Sequence, residues 1–195
     1  MSENAEKLAV VRDACASCQR CALGKTRTNL VFGTGSPDAR LMFVGEAPGE
    51  REDATGIPFV GAAGQLLDRY LFAVGIPRDD VYIANILKCR PPRNRDPLPE
   101  EEDACIEHLR AQVRIIRPKL LVCLGRISAQ RLIKPDFRIT REHGVWFSRG
   151  AFHMCAVYHP SALLRDPSKR EDMLEDMRAI ADKYRALNGI ERNPV

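Results

Sequence analysis

Four short apolar runs constrain this chain more than any other feature: Leu41–Val44, Val81–Leu87, Leu120–Leu124 and Met154–Tyr158. Each is apolar at nearly every position rather than at every second one. Strands read this way when both faces of their sheet are covered, the usual condition of a parallel sheet in an α/β protein. Helical patterns fill the gaps at Gly64–Val74, Pro99–Ile116, Arg126–Ile133 and Ser168–Leu187, with another over Ala5–Ala14. Pro99 followed by Glu100, Glu101, Glu102 and Asp103 suits a first helical turn. Proline needs no amide donor there, and acids complement the exposed amide dipoles. FRITREHGVWFSRGAF, alternating around Gly144, reads as a small hairpin or β excursion. This alternation predicts an α/β fold with a central, mainly parallel, four-stranded sheet and helices on both sides. At 195 residues, without a repeat or linker, the chain is expected to form a single domain over 1–195.

The segment LMFVGEAPGEREDATGIPFVGAAG, Leu41 to Gly64, is the most informative for function. The first strand breaks there into a loop carrying Glu46, Pro48, Gly49, Glu52, Asp53, Pro58 and Phe59. Loops leaving the carboxyl ends of strands in α/β sheets are where ligands bind. Carboxylates and an aromatic ring in one such loop point to a pocket wall with an acid at its base. The alternative is an Ω-loop whose acids face water.

A net charge of +4 permits a polyanionic partner. Arg90, Arg93 and Arg95 share one loop, and Arg165, Lys169 and Arg170 another. The N-terminal sequence lacks an apolar core of signal-peptide length, and no apolar run reaches the roughly 18 residues of a membrane span. A soluble, cytoplasmic protein without membrane association is the expectation.

Of seven cysteines, Cys123 and Cys155 lie inside apolar runs and read as small buried hydrophobes. Cys15, Cys18 and Cys21 are spaced by three, while Cys89 and Cys105 flank an Arg/Pro-rich loop. Four thiolates from two distant segments can bind zinc or an iron–sulfur cluster. The sixteen-position gap between Cys89 and Cys105 is unlike a zinc knuckle and leans towards a cluster. Spacing leaves Cys15/Cys18 and Cys18/Cys21 both open as the first pair.

YHPSALLR, Tyr158 to Arg165, follows the last apolar run, which puts His159 at the same sheet edge as Glu46. Ser161 can donate to a phosphate and Arg165 can pair with one. Leu163 and Leu164 read either as an apolar wedge of the kind that prises bases apart or as the first core contacts of the last helix.

GEAPGEREDATGIPFVGAAGQLL, VYIANILKCRPPRNRDPLP and YHPSALLR together resemble the motifs of family 4 uracil-DNA glycosylases, the iron–sulfur members of their superfamily. The resemblance runs from about Cys18 to Arg165, and RTNLVFGTG (Arg27 to Gly35) resembles the family segment after its first cysteine pair. It implies a three-layer α/β/α fold and a structural [4Fe-4S] cluster on Cys18, Cys21, Cys89 and Cys105, leaving Cys15 unexplained. It also implies excision of uracil from single- or double-stranded DNA by a monomeric enzyme that starts base excision repair.

On that resemblance Phe59 stacks on the uracil face and Asn85 reads the base edge, its amide matching uracil O4 and N3–H. The Ala47 amide faces the base, and Glu52 is the expected steric block against thymine. His159 donates to uracil O2 as negative charge develops there, and Glu46 orients or deprotonates water. Ser161, Leu163, Leu164 and Arg165 grip and part the DNA. A covalently cross-linking relative would need a histidine on the segment CRPPRNRDPLPEEEDAC, which has none. A non-catalytic DNA-binding module would need none of Glu46, Asn85 and His159. A phosphate-handling enzyme is disfavoured because Glu46 would repel its substrate.

Overall fold

A computed structural model describes residues 2–150 and 152–189. Its elements run α1 (Glu3–Ala16), α2 (Leu23–Thr26), β1 (Thr34–Gly35), β2 (Leu41–Gly45), α3 (Glu50–Thr55), α4 (Ala62–Ala73) and β3 (Tyr82–Asn85). They continue α5 (Pro99–Ile116), β4 (Leu120–Leu124), α6 (Arg126–Leu132), α7 (Ile139–Glu142), β5 (Phe147–Arg149), β6 (Phe152–Val157), α8 (Pro160–Arg165) and α9 (Arg170–Asn188). Among the described residues the sheet has six strands, in the order β1-β3-β2-β4-β6-β5.

The four apolar runs supply its parallel centre, β3-β2-β4-β6. The expectation of four strands omits two antiparallel edges, β1 on β3 and β5 on β6. Both are two or three residues long and partly exposed, so they lack the unbroken apolar signature of a doubly covered strand. The predicted excursion is real but turns elsewhere. Gly144 follows the short helix α7, and the β5–β6 hairpin turns near Gly150.

Alternate residues of each central strand feed two apolar layers. Met42, Val44, Ala84, Leu121 and Cys123 pack on one face with Leu8, Leu109 and Ala129 of α1, α5 and α6. Leu41, Phe43, Ile83, Val122 and Val157 pack on the other with Leu67, Leu163 and Met177 of α4, α8 and α9. This is the three-layer α/β/α arrangement. From β2 the chain moves through α4 to β3 on one side, and from β4 through α6 to β6 on the other. The crevice where these connections diverge, at the carboxyl ends of β2 and β4, is the switch point at which such sheets bind ligands.

The loop from β2 to α4 closes over this edge by an unusually tight contact. Gly64 lies so near the Phe59 backbone that a Cβ there would sit 2.7 Å from Phe59 Cα and closer still to its carbonyl. Backbone cannot yield as a flexible side chain can. Gly64→Ala is expected to lower the unfolding free energy by about 1–3 kcal/mol in urea titrations; parent-like stability would refute the close approach.

Candidate active site

A cavity of about 510 Å³ opens at the switch point, and Glu46, Asn85, Phe59 and His159 all line it. Each arrives by a different route. Glu46 follows the last residue of β2, Asn85 ends β3, and His159 lies two positions beyond β6. Parallel pairing sets Gly45 opposite Asn85. The absence of a side chain at Gly45 leaves room for its neighbours: a Cβ there would meet Asn85 Oδ1 and stand 2.7 Å from Phe59 Cζ.

Asn85 is 2% exposed, and its Oδ1 is buried without a hydrogen-bond partner among the described residues. Leaving a buried acceptor unpaired costs about 1–3 kcal/mol, so an orphan facing a cavity marks a place for a donor from a ligand. Phe59, 6% exposed, carries a left-handed φ of 55° and sets its ring 5.8 Å from that of His159. Arg78 holds this strained turn by donating to the Pro58 carbonyl at 3.1 Å and that of Phe59 at 3.4 Å.

The imidazole tautomer follows from its contacts. The Ser161 amide donates to His159 Nδ1 at 3.1 Å, so that nitrogen carries no proton, and the Ser161 hydroxyl lies 2.7 Å from it. The neutral ring must then bear its proton on Nε2. Burial, with Arg165 assisting, pushes the His159 pKa down to about 4, so the ring is neutral at pH 7. The same burial, reinforced by Asp96 and opposed by Arg126, raises Glu46 to about 7. Asp96 and Arg126 also line the cavity and pair at 3.1 Å.

Other expected residues are redistributed. Glu52 lines the cavity, but its carboxylate is taken up by the loop: Oε1 accepts from the amides of Val60 (2.9 Å) and Gly61 (2.8 Å), and Oε2 from Gly49 (3.1 Å). Ala47 lines the wall. Ser161 is engaged with His159 rather than freely presented. Leu163 is fully buried in the layer beneath α8, which removes it as a wedge and makes it a core contact. Leu164 is 43% exposed, and Arg165 stands at the cavity edge.

Cys18, Cys21, Cys89 and Cys105 converge with Cys15 on a second, smaller hollow, which Arg27, Lys88 and His108 also line. Arg27 Nη1 donates to Cys89 Sγ at 3.2 Å and the Lys88 amide to Cys105 Sγ at 3.3 Å. No three of the His, Cys, Asp or Glu side chains among the described residues are gathered tightly enough to hold a single metal ion. Cys123 and Cys155 are buried in β4 and β6, as their apolar surroundings imply.

An acid, an amide, an aromatic ring and a neutral imidazole meeting at the switch point of the sheet define the class: an α/β protein with a polar and aromatic ligand cavity at its strand ends. The comparisons agree with that class. The model of the Uracil DNA glycosylase superfamily matches residues 32–181, and the chain belongs to that family. It is 47% identical over 174 residues to a type-4 uracil-DNA glycosylase of Archaeoglobus fulgidus, covering 85% of this chain and 87% of the relative. It is 44% identical over 178 residues to one of Thermotoga maritima (88% and 92% covered). A type-5 uracil-DNA glycosylase of Thermus thermophilus is 33% identical over 152 residues (67% and 68%).

The buried imidazole has a consequence for stability. An unfolded histidine binds a proton below about 6.5, whereas folded His159 resists until about 4, so the unfolded state holds more protons between those values. Stability from this residue is therefore lost as pH falls from about 6.5 to about 4. Glu46, shifted upward, acts in the opposite sense over much of that range. Urea unfolding of the parent and His159→Gln at pH 7 and pH 5 should show a smaller acid loss in the variant; equal losses would count against a buried neutral ring.

Proposed function

We propose that this protein is a type-4 uracil-DNA glycosylase, which extrudes uracil from DNA and hydrolyses its N-glycosidic bond to leave an abasic site. The observation that carries the reading is the orphaned Asn85 Oδ1 in a cavity shared with Phe59, His159 and Glu46. The similarity to type-4 enzymes over most of both chains supports it.

The chemistry follows from the groups present. A stacked nucleotide hides its glycosidic bond, so the base must leave the helix, at a cost of a few kcal/mol. Exposed Leu164 fills the space it vacates, and Arg165 meets the backbone. Inside, Phe59 stacks on the ring. Asn85 Oδ1 accepts from uracil N3–H while its NH₂ donates to O4. Cytosine presents the reverse pattern and would leave buried polar groups unpaired. Glu52 excludes thymine through the loop shape that its carboxylate fixes, with the Ala47 amide facing the base from the same loop.

Cleavage leaves negative charge on uracil O2 and oxocarbenium character on the sugar. His159, with Nδ1 occupied by the Ser161 amide, offers Nε2–H to O2. Such a fixed donor is worth roughly 2.7–4 kcal/mol in the transition state. Glu46 in its ionised form holds water against the sugar and accepts its proton.

Cys18, Cys21, Cys89 and Cys105 fit a [4Fe-4S] cluster: the donor set is all thiol, the sulfurs ring a hollow, and Arg27 and the Lys88 amide supply hydrogen bonds to two of them. The group would supply a cross-link between the N-terminal segment and the loop after β3. Cys15 is a fifth thiol at its edge.

Purified protein should release uracil from uracil-bearing oligonucleotides, scored as alkali-labile strand breaks. His159→Ala should slow single-turnover release by about a hundredfold or more with little change in DNA affinity. The parent rate should rise with pH through about 7 as Glu46 ionises, and Glu46→Gln should flatten that rise. Full activity in His159→Ala would remove the assigned role.

Iron and acid-labile sulfide analysis tests the second hollow. The parent should be brown with about four irons per chain, and Cys105→Ser should lose iron and unfold at lower temperature. Zinc in the parent would remove the cluster and leave the glycosylase reading standing.

A further inference from the structure

Lys88 immediately precedes Cys89 and is 1% exposed. A buried ammonium is tolerated only when its donors are used. Its Nζ donates to the Asn85 backbone carbonyl at 2.8 Å and to Gln112 Oε1 at 2.7 Å. Gln112, fully buried on α5, passes the constraint on: its Nε2 donates to the Phe32 carbonyl at 2.9 Å and to the Tyr82 hydroxyl at 3.1 Å. The Lys88 backbone is tied as well, its amide to Cys105 Sγ at 3.3 Å and its carbonyl accepting from the Val31 amide at 3.0 Å.

These bonds converge on the residue whose direction matters most in the cavity. Asn85 Oδ1 has no protein partner, so no hydrogen bond to that oxygen sets the amide plane before a base arrives. The plane must be set by packing and by the Asn85 backbone. On one side the backbone is held by the ladder, where Ile86 N donates to the Gly45 carbonyl at 3.0 Å. The Asn85 carbonyl itself is held by Lys88.

We propose that Lys88 is a positioning residue for base recognition: by tying the Asn85 carbonyl to Gln112 on α5, it fixes the direction in which the Asn85 amide meets the pyrimidine edge. The proposal rests on the uracil-reading role of Asn85 given above. It differs from a purely structural role in one measurable respect. If Lys88 acts through Asn85, its removal matters little once the Asn85 amide is gone.

A double-mutant cycle tests this. Single-turnover uracil release is measured for the full-length parent, Lys88→Met, Asn85→Ala and the double variant, with iron content and unfolding temperature recorded for each. Lys88→Met should slow release about tenfold in the parent background and less than about twofold in the Asn85→Ala background. Affinity for abasic DNA, which presents no base to Asn85, should stay at the parent value. Equal slowing in both backgrounds, or a parent-like rate in Lys88→Met, overturns the proposal. Should Lys88→Met fail to fold, Gln112→Ala replaces it: freeing one anchor of the ammonium should give the same non-additive pattern in smaller degree, and additivity overturns the proposal. Absence of release by the parent itself would remove the glycosylase reading and this proposal with it, an outcome distinct from additivity in an active enzyme.

Discussion

At Gly45 two parallel strands end side by side with no side chain between the backbone of one and the functional groups around it. The register sets Asn85 opposite this glycine, and Phe59 folds back to within van der Waals reach of the same bare backbone. Much of the loop architecture serves that approach. Phe59 reaches it only by adopting a left-handed φ, a strain of order 1–3 kcal/mol for a residue with a Cβ. Arg78 on the preceding carbonyls, Gly64 against the Phe59 backbone, and Glu52 across three amides together over-determine that conformation. The cavity is therefore held in shape by bonds within the protein, without a ligand to complete it.

Burial then acts on two titratable groups in opposite directions. It pushes His159 down to about 4 and Glu46 up to about 7. The imidazole becomes a fixed neutral donor rather than a cation, while the carboxylate is poised to change charge near neutrality. For a reaction that expels an anion from a developing cation, this division is economical. In the proposed reaction a neutral N–H would favour the departing charge without holding the product as an ion pair, and the carboxylate would serve the sugar and its water. The Ser161 amide is what makes the arrangement unambiguous, since by occupying Nδ1 it leaves the proton only one place to go.

The central sheet was legible because four doubly buried strands leave four unbroken apolar runs, and Pro99 with its acids marked the start of α5 to the residue. Convergence of Glu46, Asn85 and His159 followed from placing each at the carboxyl end of a parallel strand. Of the edge strands, β5 was legible only as an excursion without its turn, and β1 not at all, both being too short and too exposed to carry a clear pattern. Leu163 and Leu164 are chemically identical neighbours, and only the helical turn of α8 decides that one faces the core and the other solvent. Glu52 was expected as a steric block in the loop and does line the cavity, but nothing in the sequence says that three amides will surround its carboxylate. Lys88 was hidden because a lysine beside a cysteine and an arginine reads as surface. Its burial depends on Gln112, twenty-four positions away.

The two hollows lie closer along the chain than their separate chemistries suggest. Asn85 lines the cavity and Cys89 the second site, with only Ile86, Leu87 and Lys88 between them. Ile86 and Leu87 extend the ladder onto Gly45 and Glu46 through their amides, at 3.0 Å each. Displacing Cys89 would therefore be transmitted to the residues that present the acid and the amide. Beyond it the segment Arg90–Leu98 has three prolines and two left-handed non-glycine residues; Pro91 is buried, and Arg95 and the Leu98 amide are tied to Glu101. Most of the segment is exposed, and it is held chiefly by polar contacts: Arg90 with Asn94, Arg95 with Glu101 and Asp96 with Arg126. The cysteine hollow lies at its root, against Cys89, while the strand end at Asn85 is fixed by burial and by the ladder. The thiols thus stand at the junction between a buried strand end and a largely exposed Arg/Pro-rich loop, with three residues between Cys89 and the Asn85 side chain that lines the cavity.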